Sequence, residues 1–363
     1  MSGSFDSFED PFADRGPVGF DEARLDDSDA LADADPYLRY LAESGARVRR
    51  ETAVGAEALA AMREPVAPRA LVAAGTDARL LRAVLEPTCP VPFVAWPGPG
   101  LPGWAGPLDV VVVLAGDGGD QTGRSAVAEA VRRGCMVIVA APRHAVIADG
   151  LEGRRDVVLL PTSTTDPFAV AVDVLTVLYK WELGPHVDFE SVATVLDDVA
   201  AACSPRHELG DNPAKDMAIA LAEHTPLVWG GSVLAARAGR RVAELLRRST
   251  GLAVLAADSE QIRTVLTGTR PKDPFADPFD DLSPQASPVL VILDDGSTES
   301  SIREQNGRLL AAAEDADVRV VRIVAPPGPG VVDEYASLLQ QGSYAAAYLA
   351  IGLGRTPDLL SVL

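Results

Sequence analysis

The sequence is poor in cysteine, in aromatic residues and in long apolar runs. Its three cysteines, Cys89, Cys135 and Cys203, form no C-x-x-C pair, which argues against a disulfide framework and indicates a reducing compartment. No apolar stretch approaches the roughly 20 residues that a membrane span needs, and the N-terminus lacks a basic, apolar signal pattern. We therefore expect a cytoplasmic protein. Aromatic residues make up only 5% of the chain, so Ala, Val and Leu must fill its core.

Basic residues are also scarce. The chain has 32 Lys and Arg against 52 Asp and Glu, which gives a formal net charge of -20 at pH 7. A surface of that charge repels the phosphates of nucleic acids and the headgroups of anionic lipids, so neither a nucleic acid nor a membrane is an expected partner. An anionic metabolite would need a local site that overcomes this general field.

Apolar runs alternate with helical patterns along most of the chain. The clearest run, Val110–Leu114, is continuous rather than alternating, which is typical of a parallel strand buried on both faces. After about residue 211 the same order of helix, strand and turn starts again. The pattern predicts an α/β protein with two doubly wound parallel-sheet domains in tandem. Its predicted parts are an acidic, disordered N-terminal tail over 1–36, a first domain over 37–205 and a second domain over 206–363.

A short segment, Asp10–Asp14, recurs as Asp273–Asp277, with the sequence Asp-Pro-Phe-Ala-Asp in both places. Both copies lie in acidic stretches with a loop-like composition. The repeat is either a docking motif or a coincidence of composition in two acidic, Pro-rich loops, and the composition favours coincidence.

Three passages in the second half resemble one protein family. Asn212-Pro213-Ala214-Lys215 opens a helix, the strand Pro226–Trp229 leads into Gly230-Gly231-Ser232, and Tyr348-Leu349-Ala350 precedes Thr356-Pro357. These passages resemble the bifunctional phosphoglucose/phosphomannose isomerases, whose two domains are of the sugar-isomerase (SIS) type. The chain is also similar to a TobH-like offshoot of that family. The resemblance extends from about Asp35 to Leu363 and is more specific in the second domain than in the first.

The resemblance implies two SIS domains, each with a five-stranded parallel sheet, and a site for a sugar phosphate. It also implies interconversion of mannose 6-phosphate or glucose 6-phosphate with fructose 6-phosphate by proton transfer, without a metal or an organic cofactor. A homodimer is the expected assembly. A helix N-terminus would hold the phosphate, because the helix dipole favours anions there.

In the first domain, Gly75 and Thr76 stand where the family has its first Gly-Ser loop. The family's phosphate loop, Ser-Gly-Asn-Thr-Glu, corresponds to Asp117-Gly118-Gly119-Asp120-Gln121, followed by Thr122. Carboxylates thus replace the two hydroxyl residues and would repel a phosphate. The loop is either altered for a neutral sugar, an amine or a cation, or it is a helix start capped by Asp120 with Asp117 in a turn. The residue types favour the cap.

In the second domain, Gly230, Gly231 and Ser232 close a predicted strand. Their backbone amides suit contact with a sugar, and the same three residues equally suit a tight turn in which Ser232 caps the next helix. The sequence leaves both alternatives open. Asp294-Asp295-Gly296 follows a later strand and fits a turn better than a magnesium site, since no companion ligand motif is present.

The family's catalytic groups have only poor counterparts. Glu244 stands near the position of the catalytic glutamate but also has helical spacing to Arg247 and Arg248, which predicts a surface ion pair. Glu260 stands near the position of the ring-opening histidine, where no histidine occurs, and His207 is the remaining weak candidate. We expect a carbohydrate-derivative binding protein with degenerate catalytic residues. The alternative is an active aldose–ketose isomerase.

Overall fold

The computed structural model describes residues 19–61, 67–269, 287–328 and 330–357. Within these ranges, none of the helices has both the length and the apolarity that crossing a bilayer requires. Both copies of the Asp-Pro-Phe-Ala-Asp repeat lie outside the described residues, as does most of the Pro- and Asp-rich loop before residue 287.

The first half of the chain forms a parallel sheet with helices around it. Its central strands are apolar at nearly every position because both faces of the sheet are covered. Its helices and strands are, in chain order, α1 (Ser28–Ala42), α2 (Ser44–Ala61), β1 (Ala70–Ala74), α3 (Ala78–Thr88), β2 (Phe93–Trp96), β3 (Asp109–Leu114), α4 (Gln121–Arg133), β4 (Met136–Ala141), β5 (Val157–Pro161), α5 (Pro167–Lys180) and α6 (Phe189–Ala202).

The second half repeats this alternation. Its helices and strands are α7 (Pro213–Leu221), β6 (Thr225–Gly230), α8 (Val233–Thr250), β7 (Leu255–Ala256), α9 (Ser259–Gly268), β8 (Pro288–Asp294), α10 (Ser300–Asp315), β9 (Val320–Val324) and α11 (Val331–Gly352). Asn212 begins α7 by accepting hydrogen bonds from the backbone amides of Ala214 and Lys215, so the Asn-Pro-Ala-Lys motif is a helix cap.

Both sheets are doubly wound. The strand orders are β2-β1-β3-β4-β5 and β7-β6-β8-β9, and every recorded strand pair is parallel. The tandem α/β architecture predicted from the sequence is therefore confirmed. The second sheet contains four strands in the described residues, where the family resemblance implied five. In each sheet the order reverses beside the first strand, and the carboxyl edge at that switch point is where ligands bind in such folds.

The last helix, α11, lies between the two sheets and contacts α8, α7, α6 and α1. Nearly all of its residues are buried, as expected for a helix that is apolar on every side. Gly342 allows close packing, because a Cβ there would overlap Val242 of α8. The Tyr348 hydroxyl donates to the carbonyl of Cys203 at 2.7 Å. The C-terminal helix therefore packs back onto the core.

The predicted disorder of residues 1–36 is wrong for the part that the structure describes. Glu22–Leu25 form a 3-10 helix and α1 begins at Ser28. Leu25, Ala30 and Ala34 are buried against the core, while the acidic residues between them point outward. The prediction failed because it rested on the high charge of the whole segment and overlooked this apolar face. Burial of the face under α11 is enough to order the segment. Residues 1–18 lie outside the described residues.

The proposed boundary near residue 205 stays a prediction. One sheet precedes it and the other follows it, but a single apolar core includes the inner faces of both sheets. The buried Lys215 also links the two halves, since its ammonium group donates to Asp26 at 2.6 Å and to the carbonyl of His207 at 2.8 Å.

Two buried carboxylates face each other where α2 packs on α5 and β5. Glu51 is fully buried and accepts hydrogen bonds from the amide and hydroxyl of Ser163. Asp173 is 1% exposed, and neither of its carboxylate oxygens has a hydrogen-bond partner in the described structure. Burial, and then the charge of Glu51, raise the pKa of Asp173 to about 7. Asp173 is therefore protonated in the folded protein under mildly acidic conditions.

We predict that this carboxyl group makes stability depend on pH. Its pKa is about 7 in the folded protein and about 3.9 in an unfolded chain, so the folded state binds the extra proton and its free energy of unfolding falls as pH rises through this window. Asp173→Asn removes this pH-dependent loss of stability, because asparagine does not ionise. The stability advantage of the variant should grow between pH 4 and pH 8 by at most about 4 kcal/mol.

Urea unfolding of wild type and variant at several pH values measures this difference. Asp315→Asn, at the exposed end of α10, is the matched control and should keep a constant difference from wild type. An Asp173→Asn difference that does not change with pH would contradict the assignment.

Candidate functional site

The first switch point is closed by the protein's own side chains. Thr76 follows β1, and its hydroxyl donates to Asp120 at 2.5 Å across the crevice. The other Asp120 oxygen accepts from the backbone amide of Gly123 at 2.7 Å and thereby caps α4. Burial opposes ionisation here, but hydrogen bonds from Gly123, Thr76 and Thr122 together lower the pKa of Asp120. The cap that the sequence favoured is confirmed, and an ionised carboxylate occupies the place expected for a phosphate.

Two glycines allow the tight backbone conformation of this loop. Gly118 and Gly119 have φ values of 97° and 80°, which favour glycine, and the amide of Gly119 donates to Asp117 at 2.9 Å in a turn. A Cβ at Gly119 would overlap Ile147. The predicted ligand-binding residues Gly75, Thr76, Gly118, Gly119 and Thr122 follow β1 and β3 at the carboxyl edge of the first sheet, and their binding role stays a prediction.

Negative charge dominates this first crevice. Asp77 follows Thr76, and its pKa is raised by burial; Arg241 opposes this rise, whereas Asp117 and Asp120 add to it. Arg241 of α8 is the cation beside Asp77, at 3.7 Å. Arg124 is a second cation here and donates to the carbonyl of Gly119 at 2.7 Å. Three carboxylates against two guanidiniums leave the crevice negative, which does not favour an anionic group.

The second switch point is closed in a similar way. Ser232 follows β6, donates a short hydrogen bond to Asp295 and accepts the amide of Ala235 at 2.9 Å. It is therefore the N-cap of α8. Gly230 and Gly231 have no room for a side chain, since a Cβ would overlap Ala235 and Ile302, respectively.

A cleft of about 580 Å³ opens on the other side of Ser232, at the carboxyl ends of β6 and β7. One wall is the first two turns of α8 and the other is the start of α9. The predicted ligand-binding residues Gly230, Gly231 and Ser232 line it, together with Glu260. We call it the α8–α9 cleft.

The α8 wall carries positive charge. Arg237 and Arg240 both line the cleft, and their spacing from Val233 puts all three residues on one face of the helix. Arg237 is bound to Glu86 at 2.8 Å. The guanidinium of Arg240 has no hydrogen bond or ion pair within the described part of the chain and is exposed.

The α9 wall carries hydrogen-bonding groups. Asp258 caps α9 by accepting the amide of Gln261 at 3.0 Å, and Glu260 pairs with Arg263 at 2.7 Å. Ser259 donates to Gln305 of α10 at 3.4 Å. Carboxylate, hydroxyl and amide groups of this kind accept hydrogen bonds from sugar hydroxyls.

The remaining catalytic candidates lie away from the cleft. Glu244 is paired with Arg248 at 2.7 Å, as the helical spacing predicted. His207 is exposed in the loop before α7; its backbone amide donates to the carbonyl of Ser204 at 3.1 Å, and its carbonyl accepts from Lys215. The structure thus brings Glu260 to the predicted ligand-binding loop but does not bring Glu244 or His207 there.

Asp294-Asp295-Gly296 forms the predicted turn. The amide of Gly296, with a φ of 76°, donates to Asp294 at 3.0 Å. No group of three His, Cys, Asp or Glu side chains in the described ranges is placed to hold a metal ion.

A smaller cavity of about 70 Å³ lies between the two halves of the molecule. Arg47 lines it and is already paired, since it donates to Asp166 at 2.7 Å and to the carbonyl of Tyr40 at 2.6 Å. The cavity has room for a few water molecules but not for a sugar phosphate.

Sequence reasoning missed the two arginines of the cleft. The signal was present, because a Gly-Gly-Ser turn is followed by basic residues five and eight positions after Ser232. The partner of Arg237, however, comes from α3, 151 residues earlier in the chain, and no local pattern reveals such a contact.

Residues 210–363 match the family described as the bacterial phospho-glucose isomerase C-terminal SIS domain. The family model therefore matches the second half of the chain. The match covers the second sheet and the α8–α9 cleft, and it agrees with the resemblance that the Asn-Pro-Ala-Lys and Gly-Gly-Ser passages indicated. None of the curated proteins compared with the sequence matches it.

Solved structures of the same fold extend over nearly the whole chain. Tagatose-6-phosphate ketose/aldose isomerase from Escherichia coli has a TM-score of 0.61 at 16% identity, covering 95% of this chain and 98% of that one. A glucose-6-phosphate isomerase like protein from Thermus thermophilus has a TM-score of 0.54 at 19% identity, covering 92% and 94%. Glucosamine-6-phosphate deaminase from Thermotoga maritima has a TM-score of 0.60 at 11% identity, covering 88% and 96%. At these identities the likeness establishes the fold.

We predict that the first loop gains affinity for phosphate when its carboxylates are removed. Asp117→Ser/Asp120→Thr eliminates two negative charges and keeps a hydroxyl at the cap of α4. Calorimetry with glucose 6-phosphate should find binding to the double variant at least tenfold tighter than to wild type, a gain of about 1.4 kcal/mol.

Glu304→Gln/Glu314→Gln, on the exposed face of α10, gives the same change in net charge and should leave the affinity unchanged. Equal affinity of the first-loop variant and wild type would show that these carboxylates do not exclude the phosphate.

Proposed function

We propose that this protein binds a phosphorylated carbohydrate derivative in the α8–α9 cleft and isomerises it slowly or not at all. The observation that carries the proposal is the guanidinium of Arg240, which lies beside the Gly230-Gly231-Ser232 turn and has no partner among the residues that the structure describes. In a chain with a formal net charge of -20, a free cation in a cleft is the local site that an anionic metabolite needs.

The two walls of the cleft suit the two ends of a sugar phosphate. The anionic group is placed against Arg240 and the start of α8, where the helix dipole also favours negative charge. The hydroxyl groups are placed against Asp258, Ser259 and Glu260 on the α9 wall, and Gln305 extends this polar surface. A cleft of about 580 Å³ falls within the usual size range of small-molecule sites.

The same cleft is poorly equipped for isomerisation. Moving a proton between two carbons requires a positioned acid and base. No histidine lines the cleft, and its one glutamate, Glu260, is exposed and paired with Arg263. Glu260 also supports the alternative, an active isomerase, because it is a carboxylate in the cleft whose side chain does not cap a helix, whereas the carboxylate of Asp258 caps α9.

The cytoplasm and a homodimer are part of the proposal. Cys89, Cys135 and Cys203 are all free thiols, which supports a reducing compartment. The homodimer rests on the family resemblance, and size-exclusion chromatography with light scattering tests it.

Replacement of Arg240 tests where the anionic group binds. We expect Arg240→Gln to weaken binding of glucose 6-phosphate at least tenfold, because a charge-assisted hydrogen bond contributes about 1.5–3 kcal/mol. Calorimetry at low and high salt measures the effect, and the wild-type affinity should fall as salt rises.

Arg308→Gln removes an equally exposed arginine from α10, where it is paired with Glu304, and is the matched control. Unchanged affinity in Arg240→Gln, or an equal loss in Arg308→Gln, would place the anionic group elsewhere.

Turnover tests the catalytic part of the proposal. We expect conversion of glucose 6-phosphate or mannose 6-phosphate to fructose 6-phosphate to be far below the usual enzyme median of about 10 s⁻¹, since lost acid and base groups each cost roughly 10²–10⁴-fold. A coupled assay measures the rate. A rate near that median, abolished in Glu260→Gln and retained in Glu244→Gln, would establish the active isomerase instead.

A further inference from the structure

Arg237 belongs to the α8–α9 cleft and to the contact between the two halves of the chain. It lines the cleft, and its guanidinium donates to Glu86 of α3 from two nitrogens, at 3.0 and 2.8 Å. Glu86 also accepts two hydrogen bonds from Arg82, one turn earlier on α3, each at 3.1 Å. One carboxylate is thus shared by two arginines.

The two arginines of the cleft therefore differ in whether their guanidinium groups are free to bind an anion. Arg240 is exposed and has no partner in the described ranges of the chain, whereas the Arg237 side chain is 19% exposed and is paired with Glu86. Burial opposes ionisation of Glu86, but the hydrogen bonds from Arg82 and Arg237 outweigh it and lower its pKa. Glu86 is thus a permanent counter-ion of Arg237 at neutral pH.

We propose that Glu86 sets the affinity of the α8–α9 cleft for anions by withholding Arg237 from the ligand. This inference rests on the proposed function and assigns an affinity-determining role to a residue outside the cleft. A phosphate bound at Arg240 lies one helical turn from Arg237, and it must compete with the Glu86 carboxylate to use that second guanidinium. Because Glu86 comes from the first half of the chain, the contact between the halves limits binding in the second.

The loss of Glu86 leaves the contact between α3 and α8 otherwise intact. Arg241, one residue beyond Arg240 on α8, remains within 3.7 Å of Asp77 at the start of α3. Leu80 and Val84 of α3 are buried in the same apolar core as Leu234 and Ala238 of α8. The substitution therefore removes a half-exposed ion pair and not a packing contact.

The test measures binding of inorganic phosphate and of glucose 6-phosphate by calorimetry. We expect Glu86→Gln to bind both at least fivefold more tightly than wild type. Glu244→Gln, which changes net charge equally but frees Arg248 on the outside of α8, should bind as wild type does. In Glu86→Gln/Arg237→Gln the gain should disappear, because the freed guanidinium is its cause.

A second variant changes the affinity in the opposite direction. Arg82→Gln removes the rival donor, so Glu86 holds Arg237 more firmly, and we expect about two- to threefold weaker binding. It serves as the test if Glu86→Gln does not fold.

The outcomes separate this inference from the proposed function. If wild type binds and neither Glu86→Gln nor Arg82→Gln changes the affinity, the role of Glu86 is overturned and the cleft remains the proposed binding site. If Glu86→Gln/Arg237→Gln keeps the gain in affinity, that role is also overturned, because the tighter binding would then be a general effect of charge. Absence of binding by wild type and by every variant would overturn both proposals.

Discussion

The burial of α11 between the two sheets is the constraint on which the rest of the structure depends. A helix that is apolar all round must be covered on every side, and here α8 and α7 of the second half and α6 and α1 of the first supply the cover. This shared core brings α8 against α3, so that the cleft of the second domain borders a helix of the first. The position of Arg237 beside Glu86 follows from that packing.

Both switch points contain an internal hydrogen bond from a hydroxyl to a carboxylate, Thr76 to Asp120 and Ser232 to Asp295. The hydroxyl residue in each pair is two positions beyond the last residue of the first strand of its sheet. Each loop is thus closed by a carboxylate of the chain itself. The α8–α9 cleft, where we propose that the ligand binds, lies beside the second of these loops.

The sequence predicted the strands and most helices because their signals are local. β3 is a continuous apolar run, and α4 has a cap at each end, Asp120 and Gly134. The first helix was missed because the charge of its outer face outweighed the few apolar residues on its inner face. The cleft was only partly predicted. The loop Gly230-Gly231-Ser232 is a local motif, whereas the state of Arg237 depends on a carboxylate that only the tertiary fold brings near it.

The backbone amide of Asp21 donates to the carbonyl of Gly352 at 2.9 Å, so a residue near the start of the chain is hydrogen-bonded to the last residue of α11. During synthesis, the apolar face with Leu25, Ala30 and Ala34 emerges long before the helix that covers it. The N-terminal segment can dock only after the whole second domain has been made, and contacts this distant in sequence form slowly. Until then Lys215, which is fully buried in the finished protein, lacks its partner Asp26. The order of assembly at this contact is therefore the reverse of the order of synthesis, because a segment that is made before the second domain can dock only after it.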